Sequence, residues 1–159
     1  MHRRLLLATA VAVALAQLLA CAPAVYQKTD TGAVPTLAMA TETWQQSSAT
    51  ALPAVEDLMQ QADSQITDNN WEVASEKLER ALRISPDYAP AWSRLARIAL
   101  YKDDPARAIQ MAKRSNSHAG GSVDLKLLNW QFIREASEIQ GDDDGVQNAN
   151  KAIYILQNL

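Results

Sequence analysis

Cysteine is nearly absent from these 159 residues: Cys21 stands alone, which excludes an intramolecular disulfide framework and any cysteine-rich zinc site. Histidine is almost as scarce, with only His2 and His118, and aromatic residues make up 6% of the chain. So small an aromatic share, with alanine recurring throughout, argues against a β-sandwich or barrel and for closely packed helices. Excess positive charge is also lacking. The net charge of −3 and a pI near 5.3 leave no basic field for a phosphate backbone, so nucleic acid is not an expected partner. What the chain does have is 48% apolar residues, room for one domain, and an apolar run close to its N-terminus.

That run extends from Leu5 to Ala20, interrupted only by Thr9 and Gln17, and follows Arg3 and Arg4. A charged start and an apolar stretch of this size are the parts of an export signal, here residues 1–20. The alternative, a transmembrane anchor, needs roughly 20 apolar residues, and this run falls short of that. At its end, Leu18-Leu19-Ala20-Cys21 resembles the lipobox of bacterial lipoproteins, in which the cysteine becomes the first mature residue and is acylated. Several acyl chains, at about 0.8 kcal/mol per buried methylene, hold a protein on a membrane without any amphipathic helix. Ala22 occupies the place where an aspartate in such lipoproteins signals inner-membrane retention. The resemblance therefore implies an outer-membrane anchor facing the periplasm. Losing Arg3 and Arg4 with the leader, from 15 basic residues against 18 acidic ones, takes the mature charge from −3 to −5.

Residues 21–53 combine the lipidated cysteine with a tract rich in Ala, Thr, Pro, Ser and Gln that holds no apolar period, read as a disordered tether. Such a tether spans roughly 30 Å root-mean-square and about 100 Å when pulled out. Trp44 is the exception within it. An isolated tryptophan can dock on a partner, or lie on the protein's own helices or in a nascent helix.

From residue 54 to 159 the apolar residues fall at helical spacing: Val55, Leu58, Ala62 and Ile66, then Trp71, Ala74, Leu78 and Ala81. The punctuation agrees. Asn70 can cap the second helix, Ser85-Pro86 ends it, Pro90 can open the third, and Asp104-Pro105 supplies a cap followed by proline. Placing Leu58, Ala62, Ala74, Leu78, Ala81 and Pro86 beside Trp92, Ala96, Ala108, Ala112, Ser115 and Gly120 gives a constant offset of 34 residues. This period, with those small and large positions, resembles the tetratricopeptide repeat (TPR). The resemblance covers residues 55–88 and 89–122. A degenerate third unit begins near Leu127, with Trp130, Ile133, the Gly141-Asp142 turn, Val146 and Ile153, and needs Val123 to Lys126 as a four-residue insertion. The expected fold is all-α: a TPR-like stack of helical hairpins, two clear repeats and a degenerate third, about six helices in all. Trp92 and Trp130 are read as filling of that stack.

Chemistry finds little purchase. Asp142-Asp143-Asp144-Gly145 lacks calcium-loop spacing, since Lys151 stands where the closing glutamate belongs, and reads as a solvated turn that caps the next helix. His118 has no second ligand, and nothing near Glu135 and Glu138 suggests a tuned acid and base pair. No enzyme activity, metal or cofactor is expected.

Binding is what a repeat array offers, because the first helices of successive hairpins line a concave groove. By resemblance, the groove positions are Met59, Asp63, Ile66, Ser93, Arg97, Leu100 and Tyr101, with Gln131 and Glu135 in the third unit. Their mixed apolar and charged character suits an extended or helical peptide. Met59 and Asp63 occupy the first two places of the basic and asparagine clamp that grips chaperone tails, so that mode is absent. A separate clue is the stretch Ala152 to Leu156, apolar all round where a polar cap is expected, with Tyr154 and Ile155 covered by a partner, a second copy in a homodimer, the tether or the preceding hairpin.

Lipid, flexible tract and small TPR domain together are similar to the outer-membrane lipoprotein activators of bifunctional penicillin-binding proteins. The resemblance implies a protein that reaches across the periplasm to regulate a peptidoglycan synthase. The alternative is an assembly factor resembling pilotin or barrel-assembly lipoproteins that brace an outer-membrane complex. A long tether favours the first, since the synthase sits in the opposite membrane.

Overall fold

The computed structural model describes residues 37–46 and 52–159, which form seven α-helices and, among the described residues, no strand. They are α1 (Leu37–Gln46), α2 (Pro53–Thr67), α3 (Trp71–Ile84), α4 (Ala89–Tyr101), α5 (Pro105–His118), α6 (Val123–Gln140) and α7 (Asp143–Gln157). Helices α2/α3, α4/α5 and α6/α7 pair as hairpins, each hairpin packs on the next, and α4 also packs directly on α6. This is the TPR-like stack the 34-residue offset predicts.

The repeat positions explain why the helices stack. Ala62 and Ala96, Ala74 and Ala108, Leu78 and Ala112, and Ala81 and Ser115 are four pairs one period apart, and all eight residues are fully buried. Small side chains at these places let helix axes approach closely, and no helix of 13 to 15 residues is secure without that packing. Two apolar clusters result. One joins α2 and α3 to the Ala91, Leu95 and Ile98 side of α4; the other joins Ala89, Ala96, Ala99 and Leu100 of the same helix to α5, α6 and α7. Helix α4 serves both clusters and is therefore buried almost all round, from Ala89 to Leu100 except Trp92.

The helix ends follow the punctuation with one correction. Asp104 accepts a hydrogen bond from the Arg107 amide at 3.0 Å, and Pro105 opens α5. Asn70 does stand at the N-cap of α3, but its side chain makes no cap bond: its Nδ2 donates to Gln65 Oε1 at 3.1 Å, across the turn. The four-residue insertion Val123 to Lys126 is helical. It forms the first turn of α6, capped by Ser122, and makes that helix 18 residues long. Gly141 then ends α6 in the left-handed region at φ 68°, and Asp142 caps α7 by accepting from the Gly145 amide at 3.0 Å.

A second correction concerns the tract read as a disordered tether through residue 53. Residues 37–46 of it are helical, and α1 falls in one compact unit with the repeats. The packing reason is Trp44: its ring and Ala40, one turn earlier on the same face, have no exposed surface and belong to the α4–α7 cluster. Cys21, with the leader and the lipidation reading, lies outside the described residues. No helix among the described residues is long and apolar enough to cross a membrane.

Candidate functional site

The inner helices α4 and α6 carry the groove, and α1 lies against both. Its anchor is specific. The indole Nε1 of Trp44 donates to Ser93 Oγ at 2.9 Å, inside the protein, and the Arg94 guanidinium covers the ring at 4.7 Å from its centre. Arg94 is itself held from the repeats: Nε and Nη2 donate to the two carboxylate oxygens of Asp63 on α2 at 2.6 and 2.8 Å, and Nη1 donates to the Pro90 carbonyl at 3.2 Å. Its edge is thus engaged by Asp63 and Pro90, which leaves its flat face for an aromatic ring.

One helical turn further on, Arg97 organises a second group. Its Nη1 donates to Glu135 Oε2 on α6 at 3.1 Å and its Nη2 to the Tyr101 hydroxyl at 3.3 Å, while its guanidinium also lies over the Tyr101 and Phe132 rings. Tyr101 in turn stacks on Trp71 of α3, with centroids 4.3 Å apart and planes inclined by 13°. Burial pushes the Glu135 carboxyl above its ordinary value. The Arg97 charge opposes that push and the nearby Glu138 reinforces it.

Of the residues assigned to the groove from sequence, Asp63, Ser93, Arg97 and Tyr101, with Glu135, are therefore brought into two linked clusters along α4. Met59 and Ile66 are instead buried in the core between α2 and α3, each 2% exposed, and Leu100 is in the other core cluster. They support the groove from beneath and present no surface to a partner. Gln131 is half-buried on α6. Tyr154, on α7, is 69% exposed beside exposed Ile155, on a different element from both clusters. Sequence reading missed Arg94, whose place in the repeat carries no motif, and the pairing of Trp44 with Ser93. The only signal for the latter was a tryptophan in a tract otherwise poor in large apolar residues.

No protein-family model matches the chain, and no curated protein matches it in sequence. Among solved structures, the globular C-terminal domain of LpoP from P. aeruginosa is similar at a TM-score of 0.60 and 32% identity, over 68% of this chain and 99% of that one. The chain belongs to the LpoP family. Identity of this degree along the whole of the LpoP domain agrees with the TPR-like hairpins of α2 to α7. In LpoP-family terms the two clusters on α4 lie in the globular domain, whose fold this chain shares.

Proposed function

We propose that this LpoP-family chain is an outer-membrane lipoprotein that binds and activates a bifunctional penicillin-binding protein from the periplasmic side. The observation that carries the reading is the likeness to the LpoP globular domain along 99% of its length. The N-terminal sequence supports it: residues 1–21 resemble a leader and lipobox ending at Cys21, and residues 22–36 separate that cysteine from α1. The site supports a binding role rather than a chemical one. Its charged groups are paired with each other as Asp63 with Arg94 and Arg97 with Glu135, an arrangement that fixes the shape of the site.

The partner surface in this reading runs along Arg97, Tyr101 and Glu135, with Tyr101 the exposed aromatic of the group. Purified mature protein added to a bifunctional synthase and lipid-linked precursor should accelerate glycan polymerisation or crosslinking several-fold, and its loss from cells should sensitise them to β-lactams. An unchanged synthase rate, together with depletion of one outer-membrane barrel or secretin in the deletion strain, would sink this reading in favour of an assembly factor.

A further inference from the structure

Successive hairpins enclose the same cleft twice, and the two copies differ. The first lies between α3, α4 and the start of α5, with a volume of 340 Å³. Two ion pairs join residues that line it: Lys102 Nζ with Glu72 at 2.9 Å and Arg107 Nη2 with Glu79 at 3.5 Å. One repeat on, allowing for the inserted residues, the second lies between α5, α6 and α7 and has a volume of 520 Å³. Every paired position is changed there. Gln140 and Ala106 stand for Lys102 and Glu72, and Gly145 and Lys113 for Arg107 and Glu79, so among the described residues no ion pair joins the walls.

This open cleft is lined by Trp130 and Ile133 of α6, Ile109 of α5, and Asp142 and Asp144 at the start of α7. Its polar groups are left unpaired. Trp92, the repeat equivalent of Trp130, donates its indole N–H to the Pro86 carbonyl at 2.8 Å and has the Arg114 guanidinium 4.6 Å from its ring centre. At half-buried Trp130 the indole N–H bonds to no described residue, and the position of Arg114 is taken by Ala152. Ser137, which replaces Ala99 of the first cleft, is 1% exposed, yet its hydroxyl bonds to no described residue. It lines the cleft beside Gly145, where a Cβ would stand 2.5 Å from the Ser137 Oγ. Asp142 caps α7 through Oδ1 and keeps Oδ2, and Asp144 has no ion pair among the described residues. Elsewhere this fold completes such a set with an arginine: Arg94 lies over Trp44 and pairs with Asp63, and Arg97 lies over Tyr101 and pairs with Glu135. The cleft has the aromatic ring, the carboxylates and the buried hydroxyl, and lacks the arginine.

We propose that the cleft between α5, α6 and α7 docks one arginine side chain of a partner protein. The stem packs on Ile109 and Ile133, and the guanidinium lies on Trp130 and donates to the Asp142 and Asp144 carboxylates and the Ser137 hydroxyl. Arginine suits the site better than lysine because a planar guanidinium can stack on a ring and fork to a carboxylate together. Lys113, on the α5 wall, has no ion pair among the described residues and opposes a second positive charge, so the occupant is a single arginine and not a basic run. This goes beyond the synthase reading and stands without it, since it uses none of the Arg97, Tyr101 and Glu135 group.

The test is a titration of isotope-labelled mature protein, followed by nuclear magnetic resonance through the indole N–H signals of its four tryptophans. The Trp130 signal is assigned by its loss in Trp130→Phe. The probe is a capped peptide Ala-Leu-Arg-Leu-Ala, with lysine and glutamine counterparts. The expected result is a saturable shift of the Trp130 signal with the arginine peptide, about threefold weaker binding of the lysine peptide, and none of the glutamine peptide. Asp144→Asn and Ser137→Ala should each weaken the arginine peptide several-fold, and Lys113→Met should tighten it, with circular dichroism melts showing that each variant keeps its fold. No saturable shift up to millimolar peptide, an equal response to all three peptides, or a response unchanged in Asp144→Asn would each overturn the proposal. A Trp130 shift that grows with protein concentration in the absence of peptide would give the site to a second copy of this chain and overturn it likewise. No synthase enters the assay, so these failures are distinct from failure of the activator reading.

Discussion

Arg94 and Arg97 stand three residues apart on one helix, and each is buried, paired with a carboxylate from another helix and laid over an aromatic ring. Arg94 is almost wholly buried, and its cost of leaving water is met by a two-pronged contact with Asp63, a backbone carbonyl and an indole face. Truncation as Arg94→Ala would strip Asp63 of its only cation across the α2–α4 gap. The expected loss is about 3 kcal/mol, the lower end of what removing one partner of a buried pair costs, because the Asp63 side chain keeps 24% of its surface exposed. Urea unfolding followed by circular dichroism would measure it.

Glu135 gives the residue scale its pH dependence. Its carboxyl is raised above the ordinary 4.5, chiefly by burial, so the folded protein holds that proton more tightly than the unfolded chain does. The stability this contributes is fully present below the unfolded value and is lost as pH rises through the folded one. Glu135→Gln abolishes the dependence. The stability of the wild type relative to the variant should therefore fall as pH rises above the ordinary carboxyl value of 4.5, a sign opposite to that of an ordinary salt-bridged carboxylate. Melting temperatures of the two proteins across that range would show it.

At the scale of the element, the small residues decide how closely helices stack. Ala96 is fully buried on α4 between the two core clusters, and Ala96→Leu should overpack them and destabilise the fold by about 1 to 3 kcal/mol in thermal or urea unfolding. Gly145, in the first turn of α7, shows the same constraint at a helix start. A Cβ there would collide with the Asp142 carboxylate that caps the helix and would stand 2.5 Å from Ser137 Oγ. Gly145→Ala should displace the cap and cost about 1 kcal/mol, with the loss confined to α7 as measured by amide exchange.

The repeat elements were legible because a period repeats its signal. An offset of 34 that matches six positions at once identified the buried alanines and the hairpin turns, and all of α2 to α5 follows from it. Helix α1 was not legible for the converse reason. Ten residues with two buried anchors make no period, and its only tertiary signal is Trp44, which sequence alone cannot assign to its own chain or to a partner. The first turn of α6 shows in sequence only as a four-residue offset in the repeat register, which does not say whether the extra residues lengthen a helix or form a loop.

For the molecule as a whole, the groove was legible in outline and not in detail. Repeat register put Asp63 on α2 and Ser93, Arg97 and Tyr101 on α4, where Ser93 and Arg97 are buried and Tyr101 is exposed. Met59, Ile66 and Leu100 carry the same register, yet they lie in the core, Met59 and Ile66 on the one buried face of α2 and Leu100 on α4, which is buried almost all round. What the register cannot give is which inner positions remain open. The result is a repeat domain with its own N-terminal helix seated on α4 and α6 and, beside it, a group in which Arg97 is buried, Glu135 half-buried and Tyr101 exposed. In the proposed function a lipid on Cys21 would tether such a domain, which is suited to meeting a partner away from its membrane.

In the proposed function this face meets a peptidoglycan synthase. A photoreactive amino acid at Tyr101, which is 45% exposed at the edge of the cluster, would be activated in intact cells, and the captured protein identified by mass spectrometry. The account predicts a bifunctional penicillin-binding protein in the crosslinked product, lost when Arg97 is replaced by alanine. An outer-membrane barrel or secretin captured in its place would contradict it.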